Sequence, residues 1–220
     1  LLSGARGAAK QPGEVRTMQN WIGGTRPGNA SYVPPPPENV GDLLSDLEKF
    51  IHAPDHSLPP LVRIALVHAQ FETIHPFLDG NGRIGRLLIA MLLEEWKLLN
   101  EPLLYVSGYL KQHQRYYYHC LTEIRSSGNW EQWIAFFLEA VTISAEEAQQ
   151  GIIRIATLFA DDRKRILSLK STSVHSIRLF EFLPTMPKLT VDRAVELLEV
   201  TYPTANTAVK SLVEAGVLVE

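Results

Sequence analysis

The chain has 220 residues, 45% hydrophobic and 20% charged, which is ordinary for a globular protein of one large or two small domains. The net charge of −3 provides no global basic field, which argues against a general attraction to nucleic acid or to anionic lipid. The single cysteine, Cys120, excludes an internal disulfide framework and fits a reducing cytoplasm.

The sequence shows no sign of membrane insertion. No apolar run reaches the length of a membrane span, and the N-terminus lacks a signal-peptide pattern. We therefore expect a cytoplasmic protein with no membrane partner. The chain does not begin with Met and is expected to be a fragment, so missing signals upstream carry little weight.

The N-terminal segment, residues 1–38, is predicted to end in a small β-hairpin. Two β-prone pieces, one holding Trp21 and the other Tyr32, flank a Pro-Gly-Asn turn. The run Pro34–Pro37 follows, and proline cannot join the interior of a sheet.

Residues 39–170 are predicted to form a helical core. Residues 39–53 show a helical period, and residues 61–74 are apolar nearly all round, which is typical of a helix buried on most sides. Glu72, three residues before His75, is predicted either to orient that histidine or the hairpin, or to face solvent.

One stretch carries most of the chemistry. His75–Arg86 reads His-Pro-Phe-Leu-Asp-Gly-Asn-Gly-Arg-Ile-Gly-Arg. Pro76 should end the helix before it, and Gly80-Asn81-Gly82 should turn tightly and direct backbone N–H groups to one point. The next helix begins there, so its positive end adds to those amides and predicts a phosphate site.

The side chains of this stretch extend the prediction. Arg83 and Arg86 share one helical face and can bind neighbouring phosphates. Asp79 can hold a Mg²⁺ ion that bridges them, and His75 is a base suited to neutral pH. The glycines alone fit an ordinary helix connection about equally well, but the full set predicts a nucleotide-dependent transferase.

This stretch resembles the Fic motif at all its fixed positions. The resemblance implies a protein adenylyltransferase, which transfers AMP from ATP to a Ser, Thr or Tyr hydroxyl of a target protein or of itself. It implies that His75 deprotonates the hydroxyl and that Asp79 holds Mg²⁺. The nucleotide-binding residues that it implies in this stretch are Gly80, Asn81, Gly82, Arg83, Ile84, Gly85 and Arg86. Other Fic proteins transfer another moiety or remove AMP; Asp79 and both arginines favour AMP transfer.

The resemblance also assigns segments on both sides of the motif. It implies that the hairpin is a flap that holds the target by strand addition, with Trp21, Ile22 and Gly23 as the docking residues. A surface hairpin without a function is the alternative. It implies that Tyr117 and Tyr118 border the base and ribose, although tyrosines at helical spacing are also ordinary core residues.

The helices after the motif lead toward a second domain. Ser107–Arg125 is predicted to form one helix, and residues 130–169 a long one that bends or divides near Gly151. A change of composition at residues 170–173 predicts the domain boundary.

Residues 171–220 resemble a winged helix with a truncated wing. Helices are predicted at residues 174–183, 190–200 and 204–215, the second capped by Thr190, and Val217–Val219 is predicted to open a strand. Lys210 is the one basic residue of the third helix, so DNA binding is weakly supported and docking to a protein or to a second copy is favoured. The alternative function is a nucleotide-sensing transcriptional regulator.

Many Fic proteins carry an inhibitory helix with a Ser/Thr-x-x-x-Glu-Gly/Asn pattern, and no such pattern occurs in this chain. Such a helix would lie before residue 1, so we expect this fragment to be released from its restraint and Arg86 to be free to bind the γ phosphate.

Overall fold

The computed structural model describes residues 13–54, 57–101, 103–169 and 172–219. The described secondary structure is helical, which confirms the all-α class. The α-helices, in chain order, are α1 (Val40–His52), α2 (Pro60–Ile74), α3 (Asn81–Glu95), α4 (Val106–Gln112), α5 (Gln114–Ser127), α6 (Trp130–Ser168), α7 (Val174–Phe180), α8 (Val191–Leu198) and α9 (Tyr202–Glu214). Among the described residues, no helix combines the length and the hydropathy needed to cross a bilayer.

The chain divides into two compact units, Leu1–Ala148 and Gln149–Glu220. The division falls inside α6, which continues unbroken for 39 residues, so the predicted division of this helix near Gly151 is wrong. A glycine costs a helix interior only about 1 kcal/mol relative to alanine, which the rest of a long helix can absorb.

The unit division lies earlier than the domain boundary predicted at residues 170–173. The reason is that the last turns of α6 carry Phe159 and Ile166 into the C-terminal core. Lys170 and Ser171, and residues 1–12 of the predicted N-terminal segment, lie outside the described residues.

Helix α2 is the centre of the first unit. It is apolar nearly all round, with Ile64 and Ile74 fully buried, and it contacts α1, α3 and α5. Trp133 of α6 is also fully buried and donates its indole N–H to the Ala65 carbonyl at 2.9 Å. Because packing surrounds α2, its C-terminal end is held in a fixed place, and His75 follows directly.

Helices α2 and α3 approach closely at Gly85. A Cβ at this position would lie 2.5 Å from Glu72 Oε1 and 3.1 Å from the Phe71 ring. Gly85 lies within a regular helix, so its backbone conformation does not call for glycine. The lack of space for a side chain is what favours glycine here.

The prediction of one helix over Ser107–Arg125 is wrong. The chain leaves helical geometry at His113, where φ is −102° and ψ is 32°, and this residue separates α4 from α5. The His113 ring stacks on Tyr109 at a centroid distance of 4.0 Å, a contact that favours the break.

The N-terminal hairpin contains less β-structure than predicted. In the described residues it has one isolated antiparallel bridge, between Ile22 and Tyr32, instead of two paired strands. Ile22 N–H donates to the Tyr32 carbonyl at 2.8 Å, and Tyr32 N–H donates back at 3.2 Å. Gly23 and Gly24 both adopt positive φ and turn the chain out of any longer ladder.

The C-terminal unit has its own core, made by α7, α8 and α9 and the end of α6. The predicted cap is confirmed, since Thr190 Oγ1 accepts the Arg193 N–H at 3.2 Å. The strand predicted at Val217–Val219 is wrong: Val217 and Leu218 form a bend after the turn at Ala215 and Gly216, and the described residues offer no strand to pair with them.

Candidate active site

His75 occupies an unusual backbone position at the end of α2. Its φ of 49° and ψ of 60° place it in the left-handed region, and its N–H donates to the Phe71 carbonyl at 3.0 Å. Its own carbonyl accepts from Arg16 Nε at 3.0 Å. Left-handed backbone costs a non-glycine residue about 1–2 kcal/mol, so these bonds hold the imidazole in a set direction.

The His75 imidazole is neutral at pH 7. Burial lowers its pKa to about 4, and the positive charges of Arg125 and Arg16 act in the same direction. The Glu72 carbonyl and the Asp79 carboxylate oppose this shift because they favour the protonated ring. Its Nδ1 lies 3.8 Å from Glu72 Oε2. A neutral imidazole can accept a proton, which is what a general base requires.

The loop between α2 and α3 is shaped by Asn81. Its buried side-chain amide makes two bonds with Phe77, accepting from the backbone N–H at 2.9 Å and donating to the carbonyl at 2.7 Å. Gly80, with φ of 88°, then caps α3. The first N–H groups of α3 have no partner within their own helix, so this turn presents donors at the positive end of a dipole.

Asp79 lies at the edge of this turn. Its Oδ1 accepts the Gly80 N–H at 2.6 Å and lies 3.8 Å from Arg83 Nη2, and both side chains are about one-third exposed. No group of three or more His, Cys, Asp or Glu side chains that could hold a metal occurs in the described residues. One carboxylate still fits Mg²⁺, which commonly takes its remaining ligands from water and substrate phosphates.

A cavity of about 580 Å³ opens beside His75. Its lining includes Ile22, Gly23, Tyr32, Glu72, His75, Gly82, Arg86, Arg115, Tyr117, Tyr118 and Arg125. Three arginines face it, and Glu72 is the sole acid among the described residues that line it. The cavity therefore suits an anionic ligand, although the chain as a whole is acidic.

A second cavity, of about 410 Å³, shares Arg86, Tyr117 and Tyr118 with the first. Arg83 and Lys111 add two further cations to its lining. Arg86 of the motif thus lies where both cavities meet, and Arg83 lines the smaller one.

The hydroxyl group of Tyr117 is hydrogen-bonded to His68. The fully buried His68 has Nδ1 at 2.9 Å from the Gly85 carbonyl and Nε2 at 2.8 Å from the Tyr117 hydroxyl. A carbonyl only accepts, so Nδ1 carries the proton and Nε2 accepts the tyrosine O–H. Burial lowers the pKa of His68 to about 4 and keeps this arrangement neutral, so His68 has a structural role.

The hairpin is attached to the end of α2. The Tyr32 hydroxyl donates to the Thr73 carbonyl at 2.9 Å, and the Arg125 guanidinium lies 3.9 Å from the Tyr32 ring centre. Arg125 also donates to the Glu72 carbonyl at 3.0 Å. These contacts place Ile22 and Gly23 on the cavity wall, whereas Trp21 is 41% exposed and is not part of that lining.

The structure brings most of the predicted residues together. His75, Gly82, Arg86, Tyr117, Tyr118, Ile22 and Gly23 share the larger cavity, and Arg83 lines the smaller one. Ile84 packs against the core and Gly85 faces α2, so neither lines either cavity. The Asn81 side chain is occupied by Phe77, so it shapes the turn.

Sequence reasoning missed Arg16 and Arg125. Arg16 is 2% exposed. Its side chain donates to the backbone carbonyls of Ile74, His75 and Pro35, which lie up to 59 residues away in the sequence. The sequence around Arg16 gives no sign that this arginine is buried, because its partners are backbone carbonyls distant in the sequence.

Comparison with known proteins adds to this geometry. Residues 2–93, which include the whole motif, match the model of the Fic/DOC family. Residues 2–93 are therefore similar to the Fic/DOC family.

Named relatives are similar to part of this chain. The protein adenylyltransferase Fic of Drosophila grimshawi is 32% identical over 128 residues, and that of Drosophila yakuba is 33% identical over 129 residues. Each alignment covers 58% of this chain but only 24% and 23% of those proteins, so the chain spans about a quarter of their length.

A solved structure extends the likeness along the chain. A Fic family protein from Desulfovibrio desulfuricans G20 is 25% identical, with a TM-score of 0.57. The match covers 95% of this chain and 58% of that protein. The likeness therefore reaches beyond residues 2–93 into the C-terminal residues.

Proposed function

We propose that this chain is a protein adenylyltransferase that transfers AMP from ATP to a hydroxyl group of a target protein. The observation that carries the proposal is the meeting of a neutral histidine, Gly82 in the first turn of α3 and Arg86 at one cavity, with Arg83 lining the adjoining cavity. A base, an anion site and cations for further phosphates are the groups that this reaction needs.

In the proposed reaction the target hydroxyl lies beside His75 and the α phosphate of ATP lies at the first turn of α3. His75 accepts the hydroxyl proton while the oxygen bonds to the α phosphorus. The bond from this phosphorus to the oxygen that bridges to the β phosphate breaks, and pyrophosphate leaves with the electron pair. Arg83 and Arg86 stabilise the charge on pyrophosphate.

Asp79 is the proposed magnesium ligand. A bound Mg²⁺ would neutralise charge on the phosphates and orient them. The Asp79 carboxylate would exchange its contact with the Gly80 N–H for the metal and free that amide for a phosphate oxygen.

The hairpin is the proposed flap. Ile22 and Gly23 would add backbone bonds to an extended target segment, and Trp21, which is exposed, would cover its side chains. Tyr117 and Tyr118 border both cavities and are the proposed walls of the base and ribose site.

The C-terminal unit is proposed to be a winged-helix-like docking module, for a protein or a second copy. Helix α9 carries Lys210 as its one basic residue, which supports protein contact over DNA binding. A DNA titration at several salt concentrations tests the transcriptional alternative: binding at low salt that weakens steeply with added salt would favour it.

The proposal is tested by incubating the protein with α-labelled ATP, Mg²⁺ and a cell extract. We expect protein-bound label, and a loss of at least about 100-fold in His75→Ala because a positioned base contributes about that much. His52→Ala, at an exposed histidine at the end of α1, is the control and should keep full activity. Equal labelling by His75→Ala would contradict the assignment of the base.

A further inference from the structure

Glu72 is a buried carboxyl group that the proposed chemistry has not yet used. It is 6% exposed, and its Oε1 has no hydrogen-bond partner among the described residues. Leaving a buried polar atom unpaired costs about 1–3 kcal/mol, so a residue of this kind calls for an explanation. The solvent role that the sequence left open is excluded by this burial.

The carboxyl group faces the imidazole of His75. Glu72 Oε2 lies 3.8 Å from His75 Nδ1, and that nitrogen is itself buried without a short hydrogen bond among the described residues. The Glu72 Oε2 acceptor on this side favours the tautomer that carries its proton on Nδ1, which leaves Nε2 as the free base.

Charges on two helices, α3 and α5, face Glu72. Arg86 of α3 and Arg125 of α5 face it as cations, and Tyr117 of α5 lies close by. His75 is in turn faced by Arg16, Arg125 and Asp79. Burial raises the pKa of Glu72 to about 7 against the pull of both arginines, so the group changes its charge near neutral pH.

We propose that Glu72 is a positioning residue for His75: it holds the Nδ1 proton and, when ionised, stabilises the imidazolium that forms during transfer. The inference rests on the proposed function. In the step, the hydroxyl proton moves to Nε2, the oxygen bonds to the α phosphorus and pyrophosphate leaves. The Nδ1 proton stays in place, and Glu72 acts as a counter-charge without taking a proton.

The kinetic test is Glu72→Gln in the full chain, with kcat and the KM for ATP measured from pH 6 to pH 8.5. We expect kcat at pH 8 to fall about 10-fold while KM changes less than about 2-fold, because the carboxylate acts on the base and not on ATP. The wild-type kcat should rise with pH through about 7 as Glu72 ionises, and the variant should lose this rise.

The control is Glu48→Gln, at an exposed glutamate of α1, which should match the wild type throughout. If Glu72→Gln lowers kcat equally at every pH, or leaves it within about 2-fold of wild type, the proposal is overturned. Glu72→Asp, which keeps the charge, should retain the rise in kcat near pH 7. It replaces Glu72→Gln as the test if the glutamine variant does not fold.

A second measurement does not depend on activity. In protein labelled with ¹⁵N-histidine, we expect His75 in the tautomer protonated on Nδ1, and its ring ¹⁵N signals should shift as the pH rises through about 7 and Glu72 ionises, a shift that Glu72→Gln should lose. Absence of this shift in the wild type, or the opposite tautomer, would refute the role of Glu72. If these changes in the His75 signals are observed but no AMP transfer is detected, the proposed function is refuted and the role of Glu72 is not.

Discussion

Arg16 shows how far the geometry of one residue depends on distant side chains. His75 takes a left-handed backbone, and the Arg16 guanidinium binds the His75 carbonyl at 3.0 Å while its backbone N–H binds the Pro76 carbonyl at 2.9 Å. Both bonds are made by a residue that is buried against the loop. The direction of the proposed base is therefore set by hydrogen bonds from the side chain and the backbone of Arg16, and not by the helix alone.

Gly85 gives a test of the close contact between α2 and α3. In Gly85→Ala the new Cβ would lie 2.5 Å from Glu72 Oε1 and 3.1 Å from the Phe71 ring, so one of them must move. We expect the free energy of unfolding to fall by about 1–3 kcal/mol in urea titrations.

The matched control for this substitution is Gly41→Ala in α1, where nothing lies within 4 Å of the added carbon. Alanine should stabilise that helix by up to about 1 kcal/mol. Equal stability of Gly85→Ala and the wild type would contradict the packing described for α2 and α3.

At the scale of elements, two helices and the loop between them make the anion site, and the hairpin closes it from one side. The hairpin has a single β-bridge of its own in the described residues, so its position depends on contacts with α2 and α5. An element with so few internal bonds is expected to open locally more often than the helices.

Tyr32→Phe tests this attachment. It removes the bond from the Tyr32 hydroxyl to the Thr73 carbonyl, worth about 1 kcal/mol, and keeps the ring beneath Arg125. We expect the amides of Ile22 and Tyr32 to exchange hydrogen about 5-fold faster, since 1 kcal/mol corresponds to roughly that factor. Tyr202→Phe, at an exposed tyrosine of the C-terminal unit, is the control, and unchanged exchange in Tyr32→Phe would count against the attachment.

The helices and the motif loop were predictable because their signals are local. A helical period located α1, a nearly all-apolar run located α2, Pro76 and Gly80 marked the loop before α3, and Thr190 marked a helix start. Spacing on one helix also placed Arg83 and Arg86 together.

The features that sequence reasoning missed depend on distant partners. A strand at Val217–Val219 needs a second strand, and an extended hairpin needs a register that two glycines of positive φ prevent. Arg125 reaches α2 across more than 50 residues of sequence. Burial of Glu72 likewise follows from the approach of α3 at Gly85, which no pattern within α2 reveals.

At the scale of the whole molecule, the charge of the chain and the charge of its main cavity have opposite signs. The chain carries −3, yet Arg86, Arg115 and Arg125 line the cavity. A cleft concentrates the field of its own lining, so an acidic protein can attract a polyphosphate to one site. The composition of the chain alone does not reveal this positively charged cavity.

The central claim is that AMP, and not a phosphoryl group, is transferred. The direct test compares ATP labelled at the α phosphorus with ATP labelled at the γ phosphorus, each incubated with the full chain, Mg²⁺ and a cell extract. The account predicts protein-bound label from the α position only, with the γ label recovered in pyrophosphate. Label retained on protein from the γ position, or no label from either although ATP binds, would contradict it.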